Sequence, residues 1–167
     1  MNLIKALYDP QVPLPKDFYE QLLEELEYFS VSSQIYVLLK QQGKLEQTPQ
    51  FFQERLKEKY IKVLYQNIFI KNQTEQILTH FETQGIDVIP LKGTVFAEKY
   101  FGHIGARPTS DIDVLIKAAE VEKAIECVKS LGFDAEKERI PGHFHCSYSK
   151  EIPRSRIPLS VEFIGIY

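Results

Sequence analysis

"LKGTVFAEKYFGHIGARPTSDIDVLI" spans Leu91–Ile116, and its last six residues decide the fold. Asp111 and Asp113 sit one residue apart inside an apolar run. On a strand, side chains alternate with period two, so both carboxylates point to the same side. On a helix the same spacing would splay them about 200° apart. Two residues of strand separate the groups by roughly 6–7 Å. At an effective dielectric of about 20, their repulsion is of order 2–3 kcal/mol. Ile112, Val114 and Ile116 make the opposite, buried face, so a strand is expected. Facing water would relieve the repulsion, and so would sharing a divalent cation. Hard oxygen ligands at this spacing suit Mg²⁺.

Upstream, "LKGT" (91–94) reads as a strand running into a helix start at Gly93. The unpaired backbone N–H groups of such a turn attract anions. Gly93 would let a phosphate approach without a Cβ in the way. Thr94 adds a hydroxyl. Lys92 and Arg107 add two cations, and arginine can hold phosphate through two hydrogen bonds. Ser110 stands where it could cap the strand or touch phosphate. Downstream, Glu162 lies between Val161 and Phe163 on another apolar run. A charge there is explained if Glu162 faces Asp111 and Asp113 from an adjacent strand. Each residue also has a plainer reading. Arg107 would then be a surface loop cation, Lys92 would point away, and Glu162 would be a solvated strand residue.

The rest of the chain supports a core built around these strands. "IDVIPL" (86–91), "DIDVLI" (111–116), "HFHCSYS" (143–149) and "IPLSVEFIGI" (157–166) read as strands. "GTVFAEKYFG" (93–102) and "AAEVEKAIECVKSLGF" (118–133) read as helices. In the second, Val121, Ala124, Ile125, Val128 and Leu131 share one face. Before Gly85 the pattern is helical. Phe18, Leu22, Leu26 and Phe29 recur at helical spacing. So do Ile35, Val37, Leu38 and Leu39 in the stretch about Ser33–Gln41. Thr48-Pro49 reads as a helix start, with the Thr48 hydroxyl at the N-cap. Phe52, Leu56, Tyr60, Val63, Leu64, Ile68, Ile77, Leu78 and Phe81 continue the stripe, with "IKNQTEQ" polar enough to permit a bend. The expected fold class is α+β. An N-terminal helical region of about three helices (1–84) precedes a small mixed sheet with flanking helices (85–167).

Composition limits the function classes. The 167 residues are 44% hydrophobic and 26% charged, the proportions of a packed globular chain. A net charge of −3 argues against a surface coated in basic residues, though not against a local patch. Lys137, Arg139, Lys150, Arg154 and Arg156 are such a local excess, tempered by Glu136, Glu138 and Glu151. It suits steering of RNA or another anion, or an ordinary loop surface. The two cysteines, Cys127 and Cys146, form no CxxC pair and are expected to be reduced. No apolar run approaches about 18 residues, so no membrane span and a cytoplasmic setting are expected. His143 and His145 share a strand face. Without a clear third nitrogen or sulfur ligand they are read as sheet surface or acceptor contacts rather than a transition-metal site.

Taken together, Gly93-Thr94, Asp111-Ile112-Asp113 and Glu162 resemble the signature of the DNA polymerase β-like nucleotidyltransferase superfamily. "LKGTVFAEKYFGHIGARPTSDIDVLI" resembles more closely the bacterial uncharacterised nucleotidyltransferase family, with its Leu-Lys-Gly, aromatic-Gly and Arg-Pro-x-Ser-Asp-Ile-Asp. Abortive-infection toxin and some aminoglycoside nucleotidyltransferases are similar in style. The likeness covers about Ile86–Phe163. Thr94 stands where Ser or Gly is usual, and Tyr167 follows Glu162 by five residues, so a truncated or minimal core is expected.

The resemblance implies a Mg²⁺- (or Mn²⁺-) dependent transfer of an NMP from an NTP to a hydroxyl acceptor. RNA, protein and small molecules are the candidate acceptors, and pyrophosphate leaves. It implies that Asp111, Asp113 and Glu162 bind metal and act in catalysis, with Glu162 also serving as base. Gly93, Thr94, Lys92, Arg107 and Ser110 would bind the nucleotide's phosphates. The alternatives are a catalytically inactive nucleotide-binding or interaction module, or a toxin-type tRNA nucleotidyltransferase.

Overall fold

The structure is a computed structural model and describes residues 15–135, 145–152 and 158–166. It contains five α-helices and a five-stranded mixed sheet among those residues. The fold is therefore α+β and consistent with a nucleotidyltransferase-like core. The chain divides into two compact units. One holds the described residues up to Gln66 together with Ala97–Pro108. The other holds Asn67–Phe96 together with the described residues from Thr109 onward. A cut of the sequence after residue 84 keeps the whole third helix on one side, whereas packing divides it at Gln66.

The first unit is helical. Helix α1 (Lys16–Tyr28) and α2 (Ser32–Gln41) join the first half of α3 (Gln50–Thr83). Leu22 and Leu26 of α1, Leu39 of α2, and Phe52 and Leu56 of α3 are almost fully buried in one cluster. Each such side chain stabilises by roughly 1.5–3 kcal/mol relative to exposure. Phe29 does not join them. Helix α1 ends at Tyr28, the helical period stops with it, and Phe29 is 57% exposed. Thr48 also differs from expectation. Its hydroxyl donates to the Leu45 carbonyl at 2.7 Å instead of accepting from the helix start. The Pro49 carbonyl accepts the first helical N–H groups, from Phe52 and Gln53.

The second unit carries the sheet. Its strands are β1 (Val88–Pro90), β2 (Asp111–Lys117), β3 (Asp134–Ala135), β4 (His145–Lys150) and β5 (Leu159–Ile166), in the order β1-β2-β5-β4-β3. Only β2 and β5 pair in parallel. Helix α4 (Thr94–Phe101) starts in this unit, and α5 (Val121–Ser130) lies wholly within it. Ile112, Val114 and Ile116 of β2 pack with Val161 and Phe163 of β5. Val121, Ala124, Ile125 and Val128 of α5 close over them, with Ile70, Ile77 and Phe81 from the second half of α3. This apolar layer occupies one sheet face and leaves the alternate β2 and β5 side chains on the other.

Helix α3 runs unbroken for 34 residues through "IKNQTEQ". Its buried positions in this unit are Asn67, Ile70, Thr74, Ile77 and Phe81, spaced by three and four. Ile68, expected in the stripe, is 49% exposed because Asn67 takes the inward position beside it. No helix among the described residues is long and apolar enough to cross a membrane.

Candidate metal centre

The parallel pairing of β2 with β5 builds the site. Its register sets Asp113 directly opposite Glu162 and Asp111 opposite Ser160. Period-two alternation then places Asp111, Asp113 and Glu162 on the sheet face away from the apolar layer. One carboxylate oxygen from each lies within 4.8 Å of the other two. Ligand oxygens on one octahedral Mg²⁺ lie about 2.9 Å (adjacent) to 4.1 Å (opposite) apart, given bond lengths near 2.0–2.1 Å, so the three side chains would draw closer around an ion. Three carboxylates with no nitrogen or sulfur donor among them form a hard-cation set. These residues fit a divalent metal.

Burial separates the three acids. The Asp113 side chain is 1% exposed, against 27% for Asp111 and 31% for Glu162. Burial pushes the Asp113 carboxyl above the usual carboxylate range. The charges of Asp111 and Glu162 push the same way, and Lys92 opposes them. The Lys92 Nζ lies 3.0 Å from Asp113 Oδ2 and 3.5 Å from Asp111 Oδ2. That is ion-pair range, yet the contact with Asp113 is poorly directed, and neither Asp113 oxygen accepts a well-aligned hydrogen bond. A buried carboxylate in that condition is costly unless a cation completes it. The Asp113 charge holds Lys92 protonated beyond its ordinary range.

The approach to the acids is also built locally. The Leu91 N–H donates to the Asp113 carbonyl at 3.0 Å, which ties the end of β1 to β2. Gly93 then turns the chain into α4 with φ +81°, a conformation glycine adopts without a Cβ penalty. A Cβ there would also meet Thr109 Cγ2 at 3.3 Å. Glycine at this position is thus required by the turn and by its packing on the entry to β2. Gly93 and Thr94 are both buried, while Lys92 and Ser110 are exposed. The Ser110 hydroxyl points to Asp111 Oδ1 at 3.4 Å. Arg107 belongs to the helical unit.

Two further residues bear on the site. Asn67 is fully buried on α3, and its Oδ1 accepts the Thr109 N–H at 3.1 Å, two residues before Asp111. A polar residue inside "YQNIFI" (65–70) was the only signal for it. His145 on β4 places Nε2 3.2 Å from Glu162 Oε2, diagonally across the β4–β5 ladder. His143 falls outside the described residues, as do Lys137, Arg139, Arg154 and Arg156 of the expected basic excess. Lys150 is described and is committed elsewhere. Its Nζ donates to the Leu131 carbonyl at 2.6 Å and sits over the Phe133 ring. Cys127 is buried, Cys146 is half-buried, and the two are not joined in a disulfide.

No curated protein and no solved structure matches this chain. A family model does, over residues 18–163, a span that takes in the helical unit's core residues as well as all three acids. With that match and this geometry, the chain belongs to the family of uncharacterised nucleotidyltransferases.

Proposed function

We propose that the protein transfers an NMP from an NTP to a hydroxyl acceptor with the help of Mg²⁺ or Mn²⁺. The observation that carries this reading is the convergence of Asp111, Asp113 and Glu162 on one sheet face in a chain of this family. Asp111, Asp113 and Glu162 would hold the metal. Bound there, it would neutralise triphosphate charge and favour loss of pyrophosphate. The acceptor oxygen bonds to the α-phosphorus as the bond from that phosphorus to the bridging oxygen breaks, and pyrophosphate departs with that electron pair. The acceptor's proton passes to a carboxylate, for which Glu162 is the proposed base. Its partial exposure and its contact with His145 suit a group that meets an incoming hydroxyl.

Lys92, Ser110, Arg107 and the Gly93-Thr94 turn are the proposed phosphate partners. Lys92 is the most direct, being exposed and already beside the acids. A phosphate role for the buried Thr94 asks for local opening of the turn. The acceptor class is open to RNA, protein or small molecules, and the setting is proposed to be cytoplasmic.

The test is covalent transfer of α-labelled NTP to a panel of RNA, protein and small hydroxyl acceptors with Mg²⁺. Label should move with the wild type and fall at least a hundredfold with Asp111→Asn or Asp113→Asn. Equal labelling by wild type and variants, or no labelling by either, refutes the reading.

A further inference from the structure

Lys92 occupies a position the nucleotidyl-transfer reading does not by itself explain. Its ammonium lies against Asp113 Oδ2 and Asp111 Oδ2, two of the three carboxylates that converge. A divalent cation held by those oxygens would repel an ammonium 3.0 Å from one of them. Metal binding would then favour departure of the lysine.

The local structure makes that departure simple. The Leu91 N–H bond to the Asp113 carbonyl fixes the backbone next to Lys92. Its side chain is 46% exposed, so the four-carbon stem can swing without moving the strand. The next residue, Gly93, opens the turn into α4, so the stem is tethered two residues before the first residue of that helix. A lysine suits the task better than arginine. It is a compact point charge that holds no fork-like pair of hydrogen bonds to a carboxylate.

We propose that Lys92 is a tethered counter-ion that competes with the divalent cation for Asp111 and Asp113, then moves to the triphosphate once the metal is in place. The proposal rests on the metal-dependent reading above. Lys92 thereby weakens binding of metal alone and strengthens binding of metal with nucleotide. If the ion pair were merely structural, replacing Lys92 would lower fold stability without this change of sign.

The experiment measures Mn²⁺ binding by the paramagnetic resonance of free Mn²⁺, with no nucleotide present. Wild type is compared with Lys92→Met, Lys92→Gln, Lys92→Arg and Asp113→Asn. Attraction across 3.0 Å, even with the full screening of water, corresponds to about a tenfold change in binding. Lys92→Met and Lys92→Gln should bind Mn²⁺ about tenfold more tightly, and Lys92→Arg should not. In saturating Mn²⁺, each of the four ribonucleoside triphosphates is then titrated, and both neutral variants should bind about tenfold more weakly.

Unchanged or weaker Mn²⁺ binding by the neutral variants overturns the proposal. So does unchanged nucleotide binding, and so does failure of both neutral variants to fold, which would make Lys92 structural. Asp113→Asn separates this from the parent reading. If it abolishes Mn²⁺ binding while the Lys92 variants bind as wild type, only the counter-ion role fails. If it binds Mn²⁺ as wild type does, the acids are not the metal site and both readings fail.

Discussion

Replacing Asp113 by Asn should stabilise the fold while removing metal binding. Its carboxylate is buried with one oxygen each of Asp111 and Glu162 within 4.8 Å. At an effective dielectric of about 20, each such contact costs at least about 3.5 kcal/mol. Lys92 at 3.0 Å offsets about 5.5 kcal/mol on the same basis. The remainder is unfavourable by about 1–2 kcal/mol, before the cost of burying the charge is added. The half-exposed lysine is weakened further by solvent. Asparagine removes the charge, keeps the shape, and can donate its amide to Asp111 or Glu162. The net gain is expected to be of order 1–2 kcal/mol with no divalent cation added. For a chain of this size that raises the melting temperature by roughly 2–8 °C.

The pH dependence supplies a second check on the same variant. Asp113 has its folded-state pKa raised, chiefly by burial. A raised carboxyl binds protons more readily in the folded state than in the unfolded one. Its contribution to stability is therefore full below the unfolded value and is lost as pH rises through the folded one. In chelator, wild-type stability should fall across that window, and Asp113→Asn should flatten the fall. Scanning calorimetry or urea unfolding between pH 4 and 8 reads both effects. Adding Mn²⁺ should raise the wild-type melting temperature and leave the variant unmoved. If Asp113→Asn is destabilised by 1 kcal/mol or more in chelator, Asp113 is a structural anchor and the electrostatic reasoning is wrong.

Other substitutions test how the site is held in place. Asn67→Ala leaves the buried Thr109 N–H without its Oδ1 partner and should cost about 1–3 kcal/mol, read as a lower urea midpoint. An unchanged midpoint would mean that the Asn67 bond does not set the entry to β2. Gly93→Ala forces a side chain on to φ +81° and brings its Cβ to 3.3 Å from Thr109 Cγ2. It should destabilise by about 1–2 kcal/mol, and a neutral result would count against the tight turn. Burial raises the Cys127 thiol above its ordinary value, so at pH 8 Cys146 should react with a thiol-specific disulfide reagent well before Cys127. The reverse order, read by mass spectrometry of the labelled peptides, would refute that assignment.

The sequence made the strand carrying the acids legible because one local rule fixed it. Alternation along "DIDVLI" put Asp111 and Asp113 on one side whatever else the chain did. The same rule placed the α5 stripe, where Val121, Ala124, Ile125 and Val128 are all buried. The meeting with Glu162 needed more, since it depends on β2 and β5 being neighbours and parallel with Asp113 opposite Glu162. No local pattern encodes that register. It was reachable only because an unexplained charge on an apolar strand demands a partner.

Residues whose role is set by contacts distant in sequence stayed hidden. Ile68 stood in the expected helix stripe, although the helix turns Asn67 inward to hold Thr109 and leaves Ile68 half exposed. His145 lay in an alternating strand, but its proximity to Glu162 is a diagonal contact across two strands. Lys150 looked like part of a basic surface until the Leu131 carbonyl and the Phe133 ring claimed it.

These cases share a physical cause. A side chain's local period tells which way it points, whereas its electrostatic partner is chosen by the sheet order and by long-range packing. The acids therefore carry two kinds of information. Their spacing specifies a strand, and their unfavourable proximity specifies that something positive must join them. Lys92 at 3.0 Å meets that second demand only in part, because a single ammonium leaves three converging carboxylates with a net charge of about −2. That residual charge is what a divalent cation would neutralise, and it makes the acid face more than an accident of strand alternation.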